Sequence, residues 1–243
     1  MPWDFWLIFV VLGVVVPWRG RARVRRLMEQ PVPTTAEKLV LYATTIAFQW
    51  LLTGLIAWRA VARGLTATEL GLAGKPGAGS WLLAICGCAT ICALQWGNLK
   101  RMGKSDSPSA ERMRSLGERL LPRSAVELLP FFALAITAGV CEEFLYRGFA
   151  MAALQRAGLG TWLSVLMTSV LFGLAHLYQG RAGIVGTGLV GLLFGSVRAL
   201  GSTLGPLAVW HAGLDVVAGV AGAKYLTTAP KTAEVTPNQK ITG

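Results

Sequence analysis

Long apolar stretches separated by short polar segments dominate the pattern along this 243-residue chain. Most of these stretches approach the roughly 20 residues that an α-helix needs to cross a bilayer. The pattern therefore predicts an all-α, polytopic transmembrane helix bundle with about seven membrane spans. The predicted spans cover residues of about 4–18, 39–58, 81–99, 128–157, 161–179, 184–200 and 203–223.

The composition excludes other broad classes of protein. Hydrophobic residues make up 53% of the chain and charged residues only 14%, against roughly 25% charged residues in ordinary soluble domains. The mean hydropathy is +0.54. So few charges cannot cover a water-facing surface, which excludes both a disordered chain and an ordinary soluble globule.

The net charge of +11 indicates topology rather than a nucleic-acid partner, because the Lys and Arg residues lie between the apolar spans. If seven spans alternate, 17 of the 23 basic residues fall on one side. Basic residues accumulate in cytoplasmic loops of membrane proteins. We therefore expect an integral protein of the plasma membrane with its N-terminus outside and its C-terminus in the cytoplasm.

The predicted spans divide the chain into three parts. Residues 1–127 hold N-terminal membrane helices and cytoplasmic loops, including a surface helix predicted around 110–121. Residues 128–223 form a second helix bundle, which holds the candidate chemistry. Residues 224–243 are a polar tail that we expect to be disordered.

Glycine spacing predicts close helix packing in the sixth span. Thr187, Gly191 and Gly195 recur at four-residue steps within this apolar stretch. Small residues at this spacing allow two helix backbones to approach each other in lipid.

Six Asp, Glu, Arg and His side chains lie inside the predicted spans and more than two residues from the span ends. Each charge there costs roughly 2.5–3.5 kcal/mol even on the gentler insertion scales. Such groups are kept when they pair, line a wet cavity or carry out chemistry. The six are Glu142, Glu143, Arg147, His176, His211 and Asp215.

Spacing indicates that several of these groups meet. Glu142 and His176 each lie 17 residues from Leu159, in the predicted turn between two antiparallel helices. Both should lie about 25 Å from that turn. His211 follows its own turn by only about nine residues. That spacing would place it nearer the outside, and it leaves the boundary or tilt of the last span open.

Helical geometry suggests how the groups divide their roles. Glu143 and Arg147 are four residues apart and face each other, so they should neutralise one another. Glu142 points about 100° away from Glu143 and is free to face His176. His211 and Asp215 share one helix face.

These groups allow three kinds of chemistry. A carboxylate beside a histidine can activate water, and a second histidine can stabilise an oxyanion, which gives a hydrolase without a covalent nucleophile. Two histidines and a carboxylate could instead bind zinc, although the common His-Glu-x-x-His stretch is absent. A proton-coupled transporter is a third hypothesis. It is disfavoured because the sequence contains no internal repeat.

Three short motifs resemble those of the CPBP group of intramembrane proteases. This group includes the type II CAAX prenyl endopeptidases and the Abi proteins linked to bacteriocin self-immunity. The motifs are the stretch from Glu142 to Arg147, the stretch from Phe172 to His176, and the stretch from His211 to Asp215. Their order and spacing agree with the family, and the resemblance runs from about residue 128 to residue 223.

The resemblance implies a role for each candidate residue. It makes Glu142 and His176 the pair that activates water, and it places His211 and Asp215 at the oxyanion. Glu143 and Arg147 would brace the motif, and Phe172 would pack beside it. The better-described CAAX proteases have Asn where this chain has Asp215. An ionised carboxylate cannot donate a hydrogen bond to an oxyanion.

The resemblance implies a membrane-associated protein or peptide substrate, prenylated in the CAAX branch, and no certain cofactor. It leaves a metal open: zinc, if bound, would be held by Glu142, His176 and His211. It also leaves open a non-proteolytic immunity or scaffold protein with the same fold.

Overall fold

The computed structural model describes residues 1–74 and 77–227, and within these ranges every regular element is helical. Six helices are long and apolar enough to cross a membrane, and α6 is a shorter apolar helix, which confirms the polytopic bundle. Most of the predicted polar tail lies outside the described residues. The helices are α1 (Trp3–Glu29), α2 (Thr35–Ala62), α3 (Ala78–Gly103), α4 (Pro108–Leu120), α5 (Ala125–Arg156), α6 (Thr161–Ala175), α7 (Arg181–Ala199) and α8 (Leu204–Leu226).

Helix α1 continues well beyond the predicted first span, which ended at Trp18. The basic segment that follows Trp18 is helical as far as Glu29 and packs beside α2. Arg23 donates to the Thr44 hydroxyl at 2.8 Å. The Arg19 guanidinium lies 4.4 Å from the centroid of the Phe48 ring. These contacts let the helix keep its charges along the wall of the bundle instead of ending at the first arginine.

The predicted surface helix is present as α4, at one end of the bundle. The Ser107 hydroxyl accepts a hydrogen bond from the Ala110 amide at 3.3 Å and so caps the helix. Arg112 donates to the Tyr178 carbonyl at 2.7 Å, and Arg119 donates to the Leu27 carbonyl at 2.9 Å. These bonds hold α4 across the bundle end, which we call the α4 end.

Helices α5 and α8 are antiparallel and touch through glycine. A Cβ atom on Gly139 would lie 2.7 Å from the Ala208 carbonyl oxygen, so only glycine permits this approach. A Cβ atom on Gly148 would lie 3.2 Å from Leu204. Helix α8 therefore begins beside Gly148, about two turns before α5 ends. This start inside the bundle returns His211 to the level of Glu142 and resolves the depth that the sequence left open.

The predicted close packing in the sixth span is confirmed. A Cβ atom on Gly191 would lie 3.1 Å from the Ser169 Cα, and one on Gly195 would lie 3.0 Å from Val165. Helices α6 and α7 therefore form a tight hairpin, which fixes the end of α6, where His176 follows.

Candidate active site

The Glu143 carboxylate lies at the centre of a buried polar cluster. Its Oε1 atom accepts from Arg147 Nη1 at 2.8 Å, so the predicted ion pair is present. The same oxygen accepts from His211 Nδ1 at 2.8 Å. Both Glu143 and Arg147 are fully buried, and the guanidinium lies 4.2 Å from the centroid of the Phe172 ring. Glu143 thus joins α5 to α8, a link that helix spacing alone could not predict.

The backbone of α5 changes immediately after the two glutamates. Residues Phe144–Ala150 form wider π-helical turns, and all seven are buried. Such segments often occur at functional sites because they redirect side chains within a helix. Here the segment begins directly after Glu143 and contains Arg147.

The hydrogen bond to Glu143 orients the His211 ring. Because the carboxylate accepts, Nδ1 carries the hydrogen, and Nε2 points away from Glu143. Nε2 lies 3.8 Å from Glu142 Oε2 and 3.9 Å from Asp215 Oδ2. Both distances exceed a direct hydrogen bond, so a water molecule beside these groups can bond to more than one of them.

Glu142 has a hydrogen-bond partner that the sequence did not predict. Its Oε1 atom accepts from Gln49 Nε2 on α2 at 2.8 Å. Within the described part of the chain, no ring nitrogen of His176 lies within 4.0 Å of the Glu142 carboxylate. His176 comes directly after α6 ends, and its Nδ1 bonds the Phe172 carbonyl at 3.0 Å, which turns the ring back toward its own helix.

Phe172 packs against both histidines. Its ring centroid lies 4.9 Å from that of His176 and 5.7 Å from that of His211, with edge-to-face geometry. It also contacts Tyr146 at 5.3 Å between centroids. The position agrees with the packing expected of Phe172 from the sequence.

One cavity of about 720 Å³ reaches Glu142, His176, His211 and Asp215. The structure therefore brings these four residues to one space, although Glu142 and His176 form no hydrogen bond or ion pair with each other. The cavity extends toward the apolar face of α4. Its apolar wall includes Leu12, Phe48, Leu52, Leu99, Met113 and Leu116. This volume is typical of sites that bury most of a small ligand.

The donor atoms around the cavity suit zinc in kind, since they include two imidazoles and carboxylates. Among residues 1–74 and 77–227, however, no group of three or more His, Cys, Asp or Glu side chains is arranged to hold a metal ion. The arrangement does not form the three-ligand site that the zinc alternative requires. No step below uses a metal.

One protein family matches the segment that holds the three motifs. Residues 124–217 match the family described as type II CAAX prenyl endopeptidase Rce1-like. The resemblance to CPBP intramembrane proteases is confirmed. All three motifs lie within the matched CPBP segment, whereas residues 1–123 lie outside it. No curated protein and no solved structure matches the chain.

Gln49 is the site residue that sequence reasoning missed. It lies outside the CPBP segment, and its amide does not ionise, so it is not among the ionisable groups that mark the site in the sequence. Its signal was nevertheless present, because Gln49 is the only amide side chain between residues 39 and 58, in the second apolar stretch. A lone amide in a membrane span is a polar group that needs a partner.

Proposed function

We propose that this integral membrane protein is an intramembrane endopeptidase that hydrolyses a peptide bond in a membrane-associated substrate. Residues 128–223 carry the proposed catalytic groups. The observation that carries the proposal is the gap bounded by Glu142 Oε2, His211 Nε2 and Asp215 Oδ2 at one end of the large cavity. That gap has acids and bases on its walls, and it opens into a cavity that admits water.

Glu142 acts as the general base in the proposed reaction. Its Oε2 atom takes a proton as the water oxygen attacks the carbonyl carbon of the substrate. The protonated carboxyl then gives that proton to the leaving nitrogen while the C–N bond breaks, which leaves a new carboxylic acid and a new amine. His176, whose Nε2 remains available, assists in holding the water.

His211 and Asp215 stabilise the oxyanion in this mechanism. A proton on His211 Nε2 or on the Asp215 carboxyl supplies a hydrogen-bond donor that faces the gap. Glu143 and Arg147 do not touch the reacting atoms. They hold the His211 ring in the orientation that presents Nε2.

The cavity supports a substrate that carries an apolar group. Its walls beyond the polar end are formed largely by aliphatic and aromatic side chains. The matched family is named for prenylated CAAX sequences. We propose a prenylated C-terminal peptide as the first substrate class to test.

The basic residues support a cytoplasmic position for the α4 end. Residues 100–123 alone carry seven Lys and Arg residues, which the positive-inside rule assigns to the cytoplasm. The C-terminus of α8 lies at the same end. We therefore propose a plasma-membrane protein whose site opens toward the cytoplasm and whose C-terminus is cytoplasmic.

Peptide cleavage by the purified protein in lipid vesicles tests this function. The probe is a quenched peptide that ends in S-farnesylcysteine and three further residues. We expect cleavage by the wild-type protein and by Glu29→Ala, which alters an exposed carboxylate on α1, but none by Glu142→Ala. Cleavage retained in Glu142→Ala would overturn the proposal. A folded wild-type protein without protease activity on native membranes would favour the immunity or scaffold alternative.

A further inference from the structure

Helix α2 brings an amide group to the proposed base from outside the matched CPBP segment. Gln49 Nε2 donates to Glu142 Oε1 at 2.8 Å, and Gln49 lines the same cavity. The other amide atom, Gln49 Oε1, is buried and has no hydrogen-bond partner among the described residues. The amide nitrogen is therefore bonded within the site, whereas the amide oxygen has no partner in the part of the chain that the structure describes.

We propose that Gln49 is a positioning residue that selects which oxygen of Glu142 acts on water. This inference rests on the proposed function. An amide N–H can only donate, so it holds an unprotonated carboxylate oxygen. Because Oε1 is held, Oε2 is the oxygen presented to His211 Nε2 across 3.8 Å. Terminal torsions of glutamate are broad, and without this bond the carboxylate would sample other orientations.

The unpaired Gln49 Oε1 atom distinguishes a positioning role for this residue from a role in packing alone. A buried polar atom without a partner lowers stability, so a side chain selected only for packing would not be an amide here. Methionine has nearly the same length and no polar atom to bury. Glu142 is itself partly exposed to the cavity, so water can replace the donor that methionine lacks. The substitution therefore removes the orientation of Glu142 while leaving the helix packing in place.

The test compares the wild-type protein, Gln49→Met and the matched control Gln155→Met, which alters an exposed amide on the last turn of α5. The probe is the farnesylated peptide. If the wild-type protein leaves it intact, the probe is a peptide spanning a Glu142-dependent terminus mapped in native membranes. We expect Gln49→Met to lower kcat by about 10- to 100-fold, because misplacing a catalytic group by about 1 Å can cost about 100-fold in rate.

Two further readouts identify the positioning role. KM should stay within about twofold, because the lost interaction acts after substrate binds. The thermal midpoint should be unchanged or higher, because an unpaired buried oxygen is removed. Unchanged kcat in Gln49→Met would overturn the inference, and so would a loss of kcat that follows a lowered midpoint. Activity in Glu142→Ala would instead overturn the proposed function, so the two failures are distinguishable.

Discussion

His211 Nδ1 lies 2.8 Å from Glu143 Oε1, and this bond joins helices α5 and α8 at the candidate site. Arg147 donates to the same oxygen at the same distance. One carboxylate oxygen therefore holds a guanidinium on its own helix and an imidazole on another. The orientation of His211 Nε2 depends on this shared oxygen, and so does the gap that it borders.

Removing the guanidinium should destabilise the fold. Arg147→Met leaves Glu143 as a buried charge without its partner, and breaking a buried pair in this way costs about 3–5 kcal/mol. We expect lower expression and a lower unfolding midpoint in detergent. Arg156→Met is the control, because the Arg156–Glu69 pair is partly exposed and such pairs contribute about 0–1 kcal/mol. Equal effects of the two substitutions would contradict this account of the cluster.

Activity should depend on the close packing of α5 against α8, which Gly139 permits. Gly139→Ala places a methyl group against the Ala208 carbonyl and the Ala212 amide, so the helices must separate. We expect a loss of cleavage because Glu142 and His211 lie on these two helices. Gly54→Ala is the matched control on α2, where an added Cβ atom meets nothing within 4 Å. Wild-type activity in Gly139→Ala would show that the spacing of the two helices does not set the site.

The sequence predicts contacts within one helix of this site better than contacts between helices. The Glu143–Arg147 pair follows from four-residue spacing within one helix. The partner of His211 does not, because it depends on α8 beginning beside Gly148. Glu142 and His176 line one cavity, but they form no direct hydrogen bond, because equal depth does not fix direction once α6 ends at Ala175. The motifs could not identify Gln49, because it lies on α2, which carries none of them.

Asp215→Asn distinguishes two roles for Asp215. If this side chain donates to the oxyanion, asparagine supplies the N–H donor at the same position, and cleavage should be retained. Asp215→Leu should lower kcat by about 10²- to 10³-fold, as the loss of an oxyanion donor does. Both variants are compared with the wild-type protein on the same peptide. If Asp215→Asn is as impaired as Asp215→Leu, the ionised carboxylate is required instead.

Cleavage should survive removal of metal ions. Among the described residues, no group of three or more His, Cys, Asp or Glu side chains is arranged to hold a metal ion, and the proposed mechanism uses Glu142 as the base. We expect the purified protein to keep its activity after dialysis against a chelator and to contain much less than one zinc per chain. About one zinc per chain, lost together with activity in His176→Ala, would contradict the metal-free mechanism.

Mapping new peptide termini across the membrane proteome tests the central claim without choosing a substrate. Native cells are compared with a strain that carries Glu142→Ala, with both proteins expressed at equal levels. The account predicts a set of termini that form only when Glu142 is intact, and these termini also identify candidate substrates. Identical termini in the two strains would contradict the claim that Glu142 drives proteolysis.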